Sequence, residues 1–267
     1  MSPPHHVLLL GGHGKVAQLL TPLLLRRSWA VTSVIRNPDQ VAELDSLRPA
    51  DDGKGATIGP LNVLVRSIEE VKSEAQAKAI IDEVKPDYVV FSAGAAGKGG
   101  AERTFAIDRD AAIHFINAAA ATPSVTRFLL VSYLACRRQA PSWWSSESWE
   151  AADKVNKAQY PTYYQAKIAA DEALYTASKN RSDFIGINVR PGTLTAEPAA
   201  KVELGKTRHS RGATSRETVA KVADGLLASE GIKNTWLDLV DGDEDINAAV
   251  KRVVDEGVNC AEGEPVF

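Results

Sequence analysis

Short apolar runs rich in β-branched residues alternate with longer amphipathic segments along the whole chain. The apolar runs predict strands, at Val7–Leu10, Ala30–Ile35, Leu61–Val65, Tyr88–Ser92, Arg127–Ser132, Phe184–Val189 and Trp236–Val240. The segments between them predict helices, among them Lys15–Arg26, Ser67–Val84, Glu102–Ala121, Pro161–Ser178 and Ser215–Ser229. This repeated alternation of strand and helix predicts an α/β fold.

Several of the runs, such as Val7–Leu10, are apolar at every position, which is typical of strands covered by helices on both faces of a parallel sheet. The right-handed crossover rule then favours one doubly wound sheet. Two segments, 136–160 and 191–212, interrupt the pattern and are rich in Pro, Ser, Trp or Gly. We interpret them as long inserted loops at the carboxyl edge, where such sheets bind ligands. No composition break divides the chain, so residues 1–267 are predicted to form a single domain.

The composition limits the kinds of molecule that the chain is expected to bind. Lys and Arg number 31 against 34 Asp and Glu, so there is no basic excess for a nucleic acid or an anionic membrane. Two cysteines are too few for a disulfide scaffold, and no metal site is predicted. Apolar spans and signal-peptide features are also missing. We expect a soluble, cytoplasmic monomer or homodimer that binds a small-molecule substrate.

A glycine-rich turn, Gly-Gly-His-Gly-Lys-Val-Ala over residues 11–17, directly follows the first predicted strand. Such a turn leaves the backbone bare enough for a pyrophosphate, which the following helix N-terminus can hold. A nucleoside-triphosphate P-loop is excluded, because valine follows the Gly-Lys pair where serine or threonine is needed. An ordinary glycine-rich turn is the alternative interpretation. The residues predicted to bind cofactor here are Gly11, Gly12, His13, Gly14, Lys15 and Val16.

The second predicted strand ends in Val-Ile-Arg-Asn, with Arg36 standing 22 positions after Gly14. In an NAD site an acid at this place accepts hydrogen bonds from the adenosine ribose. A guanidinium can instead bind a 2′-phosphate through two hydrogen bonds. NADP(H) is therefore favoured, NAD(H) stays possible, and Arg36 and Asn37 join the predicted cofactor site. A solvated loop charge is the alternative for Arg36.

Tyr163 and Lys167 stand four positions apart and share one face of a predicted helix. A neighbouring ammonium lowers the pKa of a tyrosine, which makes such a pair suitable for acid–base work at a carbonyl. Lys167 could also bind a nicotinamide ribose. Ser132, at the end of the fifth strand, could polarise the substrate carbonyl beside the tyrosine. The alternative for Tyr163 is a surface aromatic that packs beside the aliphatic stem of Lys167. The alternative for Ser132 is a residue that only ends its strand.

Six motifs occur in a fixed order along the chain, at residues 11–17, 34–38, 91–98, 131–133, 163–167 and 190–194. Together they resemble the short-chain dehydrogenase/reductase superfamily, in its atypical NAD(P)H-binding branch close to NmrA-like and biliverdin/flavin-reductase-like proteins. The resemblance covers roughly residues 5 to 250. It implies a Rossmann-like doubly wound sheet, an acid–base role for Tyr163 and Lys167, and a helper role for Ser132.

The resemblance also implies further cofactor contacts. The adenine would lie near Ser67 and Ile68, although the family's usual aspartate is missing there. The nicotinamide side would involve the residues after the fourth strand and those after the sixth, namely Ser92, Ala93, Gly94, Pro191, Gly192, Thr193 and Leu194.

Three of the five tryptophans, Trp143, Trp144 and Trp149, crowd the first inserted loop. They could form an apolar lid over a hydrophobic substrate, or they could pack on the sheet or against another subunit. Tyr133, Trp143 and Trp144 are the predicted substrate residues.

Several other charged residues are expected to have structural roles or to face solvent. Arg137, Arg138 and His209 are expected to be solvated loop charges, although they could bind an anionic substrate. The helix that carries Asp108 and Arg109 is expected to be scaffold.

These patterns predict an NADP(H)-dependent oxidoreductase of a small carbonyl or conjugated substrate. An NmrA-like protein that senses NADP(H) without turnover and an NAD-dependent epimerase or dehydratase are the alternatives, because both would use the same cofactor features.

Overall fold

The computed structural model describes residues 4–50 and 57–267. The strands are β1 (His6–Leu10), β2 (Ala30–Ile35), β3 (Leu61–Val65), β4 (Tyr88–Phe91), β5 (Arg127–Val131), β6 (Ile185–Pro191), β7 (Thr193–Thr195), β8 (Val202–Gly205), β9 (Ala213–Ser215) and β10 (Thr235–Asp241). The α-helices are α1 (Lys15–Arg26), α2 (Val41–Asp45), α3 (Glu74–Val84), α4 (Gly100–Thr104), α5 (Ala112–Ala120), α6 (Ser146–Lys154), α7 (Pro161–Asn180), α8 (Arg216–Ala228) and α9 (Ile246–Asp255). None of the helices in these ranges is long and apolar enough to cross a membrane.

Eight strands form the central sheet, in the order β3-β2-β1-β4-β5-β6-β10-β8. All neighbours are parallel except β8, which runs antiparallel to β10. The strand order reverses between β1 and β4, and such a switch point opens a crevice at the carboxyl edge where ligands bind. The predicted Rossmann-like α/β fold is confirmed.

Successive residues of the strands point to opposite faces, and each face is covered by helices. Val7 and Leu9 of β1 belong to one core cluster with apolar residues of α1 and α8. Leu8 and Leu10 belong to a second cluster with residues of α3, α5 and α7. Burial on both faces explains why the β1 run is apolar throughout.

Two predicted helices differ from the structure. The predicted helix over 67–84 is interrupted: Ile68–Glu70 forms a 3₁₀ turn and α3 begins only at Glu74. Ser73 explains the later start, because its hydroxyl accepts a hydrogen bond from the Gln76 N–H at 3.3 Å and caps the helix. The predicted helix over 102–121 begins at Gly100 and contains a π-helical segment, Phe105–Ala111, between α4 and α5.

The two predicted loops carry secondary structure of their own, so their description as loops is corrected. The first contains α6 and a π-helical segment, Val155–Gln159. The second contains β7, which pairs with β9, and β8, which extends the central sheet. Both still lie after the carboxyl ends of β5 and β6, and they therefore flank the crevice.

Candidate active site

The glycine-rich turn over residues 11–17, here called the phosphate loop, packs so tightly against its neighbours that it has no room for side chains at two positions. Gly11 has φ +83°, and a Cβ there would lie 2.7 Å from the Cα of Ala93. A Cβ on Gly12 would lie 1.7 Å from the Ser33 hydroxyl oxygen beneath it. Gly14 precedes α1 without a capping side chain, and the first turn of α1 contains no acid. The N–H groups of Lys15 and Val16 are thus at a helix end that suits an anion.

A solvent-open cavity of about 550 Å³ lies at the carboxyl ends of β2 and β3. Its lining includes three predicted cofactor residues, Arg36, Asn37 and Ser67, together with Glu69, Glu70 and Lys72. Ile68 starts the 3₁₀ turn between Ser67 and Glu69. The cavity has the volume expected of a ligand site.

The charges around Arg36 leave it available to an anion. Its side chain is 61% exposed, and the nearest carboxylate, that of Glu69, is 3.9 Å from its Nη1. Glu69 accepts a closer hydrogen bond, at 2.8 Å, from Nε of Arg103. His13 is held differently, because its Nε2 lies 2.7 Å from a Glu43 carboxylate oxygen on α2.

Behind the crevice, the loop after β4 meets a buried pair of opposite charges. Asp108 and Lys167 are 1% and 2% exposed, and the Lys167 Nζ lies 3.9 Å from the Asp108 Oδ1. Asp108 also accepts a hydrogen bond from the Ala95 N–H at 2.9 Å. A Cβ on Gly94 would lie 2.9 Å from the same carboxylate.

Asp108 was missed by the sequence analysis, which treated its helix as scaffold. A signal was available: Thr104, Ile107, Asp108 and Ala111 share the spacing of the buried helix face, and all four are buried. An acid on an apolar face needs a partner, and Lys167 is that partner. The π-helical segment that contains Asp108 is a common feature of functional sites.

Tyr163 is half-buried at the start of α7, and its ring lies 5.1 Å from the ring of Tyr133. Burial, together with the Asp108 carboxylate, raises the pKa of Tyr163. This differs from the lowered pKa expected from Lys167, whose Nζ instead donates to the Val131 carbonyl oxygen at 2.8 Å. Without a bound cation, Tyr163 therefore keeps its proton at neutral pH.

Ser132 does not take the position expected of a carbonyl-polarising group. Its side chain is 5% exposed, and its hydroxyl donates to the Asp171 carboxylate at 2.9 Å. Asp171 also accepts from Arg190 at 3.1 Å. In this structure the hydroxyl proton is directed into a buried ion pair and not into the crevice.

The segment after β6 lies against the second flanking segment. The Thr193 N–H donates to the Gly212 carbonyl oxygen at 2.8 Å, and a Cβ on Gly192 would lie 2.3 Å from that oxygen. Pro191 is buried while Thr193 is exposed, and Leu194 pairs with Thr214 of β9. Thr193 is thus the accessible residue of this predicted nicotinamide contact.

Of the tryptophans in the first flanking segment, Trp144 is buried, whereas Trp143 and Trp149 are half-buried. Trp144 is 7% exposed, and its indole N–H donates to the Thr207 carbonyl oxygen at 2.9 Å. Arg137, expected in solvent, is 1% exposed with its guanidinium 5.2 Å and 4.9 Å from the rings of Trp143 and Trp144. It pairs with Asp238 at 2.5 Å. Both the expected solvation of Arg137 and a lid role for Trp144 are corrected by this packing.

Among the predicted substrate residues, Tyr133 lies beside Tyr163. Its hydroxyl donates to Asn156 at 2.7 Å, and Asn156 donates to the Ala135 carbonyl oxygen. Asn156 is 1% exposed and lies in the π-helical segment after α6.

Comparisons with known proteins agree with this arrangement. The model of the NAD(P)H-binding family matches residues 11–230. The UPF0659 protein of Schizosaccharomyces pombe is 30% identical over 253 residues, which are 93% of this chain and 95% of that protein. The uncharacterized sugar epimerase YhfK of Bacillus subtilis is 29% identical over 248 residues, 92% of this chain and 99% of YhfK.

Among solved structures, a putative NAD-dependent epimerase/dehydratase from Bacillus halodurans superposes with a TM-score of 0.72 at 26% identity. The match covers 93% of this chain and 99% of that one. The match of the family model over residues 11–230 shows that the chain belongs to the NAD(P)H-binding family, in agreement with its sheet order.

Proposed function

We propose that the chain is an NADP(H)-dependent oxidoreductase of a small carbonyl or conjugated substrate, with Tyr163 as its proton donor and acceptor. The observation that carries the proposal is the position of Tyr163 one helical turn from buried Lys167, at the carboxyl end of β5 and beside the β4 loop. A nicotinamide bound there supplies or removes a hydride.

In the proposed reduction Tyr163 acts as a protonated phenol, the form that its raised pKa favours. A protonated phenol can donate its hydrogen to a substrate oxygen on which negative charge develops. Lys167 uses one N–H on the Val131 carbonyl oxygen, and its remaining donors can hold a ribose hydroxyl. Tyr133 forms an aromatic wall beside Tyr163. The side chain of Ser132 supports α7 through Asp171.

The preference for NADP(H) rests on Arg36. Its exposed guanidinium stands at the cavity between β2 and β3, and Arg103 engages the nearby Glu69. A 2′-phosphate there would accept charge-assisted hydrogen bonds, each worth about 1.5–3 kcal/mol.

Replacement of Tyr163 by Phe tests the acid–base role. Turnover with NADPH over a panel of carbonyl, quinone and flavin substrates should fall roughly 10²–10⁴-fold, while NADPH affinity stays unchanged. Tyr164→Phe is the matched control, because the neighbouring hydroxyl donates to the Arg137 carbonyl oxygen and not into the crevice. Equal turnover in the Tyr163→Phe variant and the native protein would refute the role.

Replacement of Arg36 by Ala tests the cofactor preference. Fluorescence titration should show NADPH affinity falling by about 10- to 100-fold, while NADH affinity is unchanged. Arg66→Ala is the control, because Arg66 follows β3 and its side chain is similarly exposed, at 55%. A native protein that binds NADH as tightly as NADPH would contradict the assignment.

The name of YhfK favours a second candidate, an epimerase that retains oxidised cofactor. Such an enzyme should release stoichiometric NAD⁺ when the purified chain is denatured, whereas the proposed reductase should not. Tight NADPH binding with no turnover on any substrate would instead favour the NmrA-like sensor.

A further inference from the structure

The buried carboxylate of Asp108 has a fixed place next to the crevice. It accepts from the Ala95 N–H, lies behind Gly94 and faces the ammonium of Lys167. Its helix also places Arg103 in the vicinity. The carboxylate therefore cannot turn away to water.

The sheet order gives the position of Asp108 along the cofactor. Arg36 and the cavity mark the adenosine end at β2 and β3, and the phosphate loop follows β1. Gly11 of that loop packs against Ala93 after β4. The next step in the same direction reaches Gly94, Asp108 and Lys167, and a cofactor bound in this order would place its nicotinamide half next to Asp108.

Charge distinguishes the two cofactor forms at this end, because an oxidised nicotinamide ring carries one positive charge and a reduced ring carries none. Lys167 alone would repel the oxidised ring, and the Asp108 carboxylate offsets that repulsion. Resting on the cofactor site proposed above, we infer that Asp108 sets the balance between oxidised and reduced cofactor by permitting the oxidised form to bind beside Lys167.

The variant Asp108→Asn removes the charge and keeps an oxygen that can accept from the Ala95 N–H. Titrations of the full chain with NADP⁺ and NADPH should show about a tenfold loss of NADP⁺ affinity relative to NADPH. For a two-electron couple this tenfold change raises the midpoint potential of the bound cofactor by about 30 mV. Both readouts are independent of turnover.

Asp110→Asn is the matched control, because Asp110 lies two positions away on the same segment, is 41% exposed and pairs with Arg109. Its affinity ratio should equal that of the native protein. Lys167→Gln supplies a second test that does not depend on the folding of the Asp108 variant. Loss of the ammonium should move the ratio the opposite way, towards NADP⁺.

The inference is overturned if the affinity ratio of Asp108→Asn stays within twofold of the native ratio, or if Asp110→Asn shifts it equally. It is also overturned if Lys167→Gln moves the ratio towards NADPH. Failure of the native chain to bind either form would refute the proposed cofactor site itself, which separates the two failures.

Discussion

The contact between the phosphate loop and the strand beneath it makes a sharp prediction for Gly12→Ala. Gly12 is buried, its N–H donates to the Val34 carbonyl oxygen at 2.9 Å, and Ser33 lies directly below. The added methyl carbon would be 1.7 Å from the Ser33 hydroxyl oxygen and 3.0 Å from its Cβ. Since packed heavy atoms stay about 3.5–4.0 Å apart, the Ser33 side chain or the loop must move.

The expected loss follows from overpacking of a filled interior, which costs about 1–3 kcal/mol. For a chain of this size that loss lowers Tm by roughly 2–12 °C. Ser33→Gly should remove the obstacle at its own cost of about 0.5–1 kcal/mol for a glycine inside a strand. In the double variant the overpacking disappears, so the coupling energy should be about 1–3 kcal/mol.

Urea unfolding of the native chain, both single variants and the double variant measures this coupling energy. NADPH titration of the same four proteins should show affinity lost in Gly12→Ala and largely restored in the double variant. Ser33→Ala provides a further comparison, because it removes a buried hydroxyl without a hydrogen-bond partner and leaves the Cβ. Additive effects within about 0.5 kcal/mol would refute the proposed contact.

Three further outcomes test other parts of the molecule. Asp238→Asn, which removes a carboxylate next to two buried arginines, should cost about 3–5 kcal/mol of unfolding free energy. Asp82→Asn, in the surface ion pair with Lys78, should cost at most about 1 kcal/mol, and equal losses would contradict the burial argument. Cys136 and Cys260 are buried, and burial raises the pKa of Cys260 to about 12, so a thiol reagent should label neither until the chain unfolds. Folding also raises the pKa of Tyr163. Its stabilising contribution should be complete below about pH 10 and lost as pH rises through the folded-state pKa. The phenolate difference spectrum between native protein and Tyr163→Phe checks this, and phenolate at pH 9 would contradict it.

Much of the fold could be predicted because burial on both faces leaves a direct record in the sequence. The run Val7–Leu10 of β1 is apolar at every position, and the glycine-rich turn that follows it marks the start of α1. The start of α3 was harder to predict, because the helical pattern is continuous across 67–84 whereas the Ser73 cap starts the helix at Glu74. The two flanking segments could not be resolved into elements, because β7 and β8 are short and owe their formation to pairing with β9 and β10.

Parts of the candidate site could be proposed from the sequence where a motif acts through backbone or through local spacing. The phosphate loop and the Tyr163–Lys167 pair are of this kind, and their roles stay predictions. The hydrogen-bond partner of a buried hydroxyl could not be predicted from local sequence, because it lies far along the chain. Ser132 and Asp171, for example, are 39 positions apart. The same holds for Arg137 and Asp238, which are separated by 101 positions and neutralise each other only in the folded state.

A network of buried ion pairs holds helix α7 in position on the sheet. Arg137 pairs with Asp238 of β10, Arg190 of β6 lies 3.3 Å from Asp238 and 3.1 Å from Asp171, and Asp171 of α7 accepts from Ser132 after β5. Sliding α7 by one turn would separate Asp171 from Arg190 and leave a buried ion without its partner, at several kcal/mol. The buried charges therefore help to select the register of α7. Since Tyr163 and Lys167 lie on that same helix, we infer that loss of charge at Asp238 should also weaken NADPH binding, although Asp238 lies outside every cofactor motif.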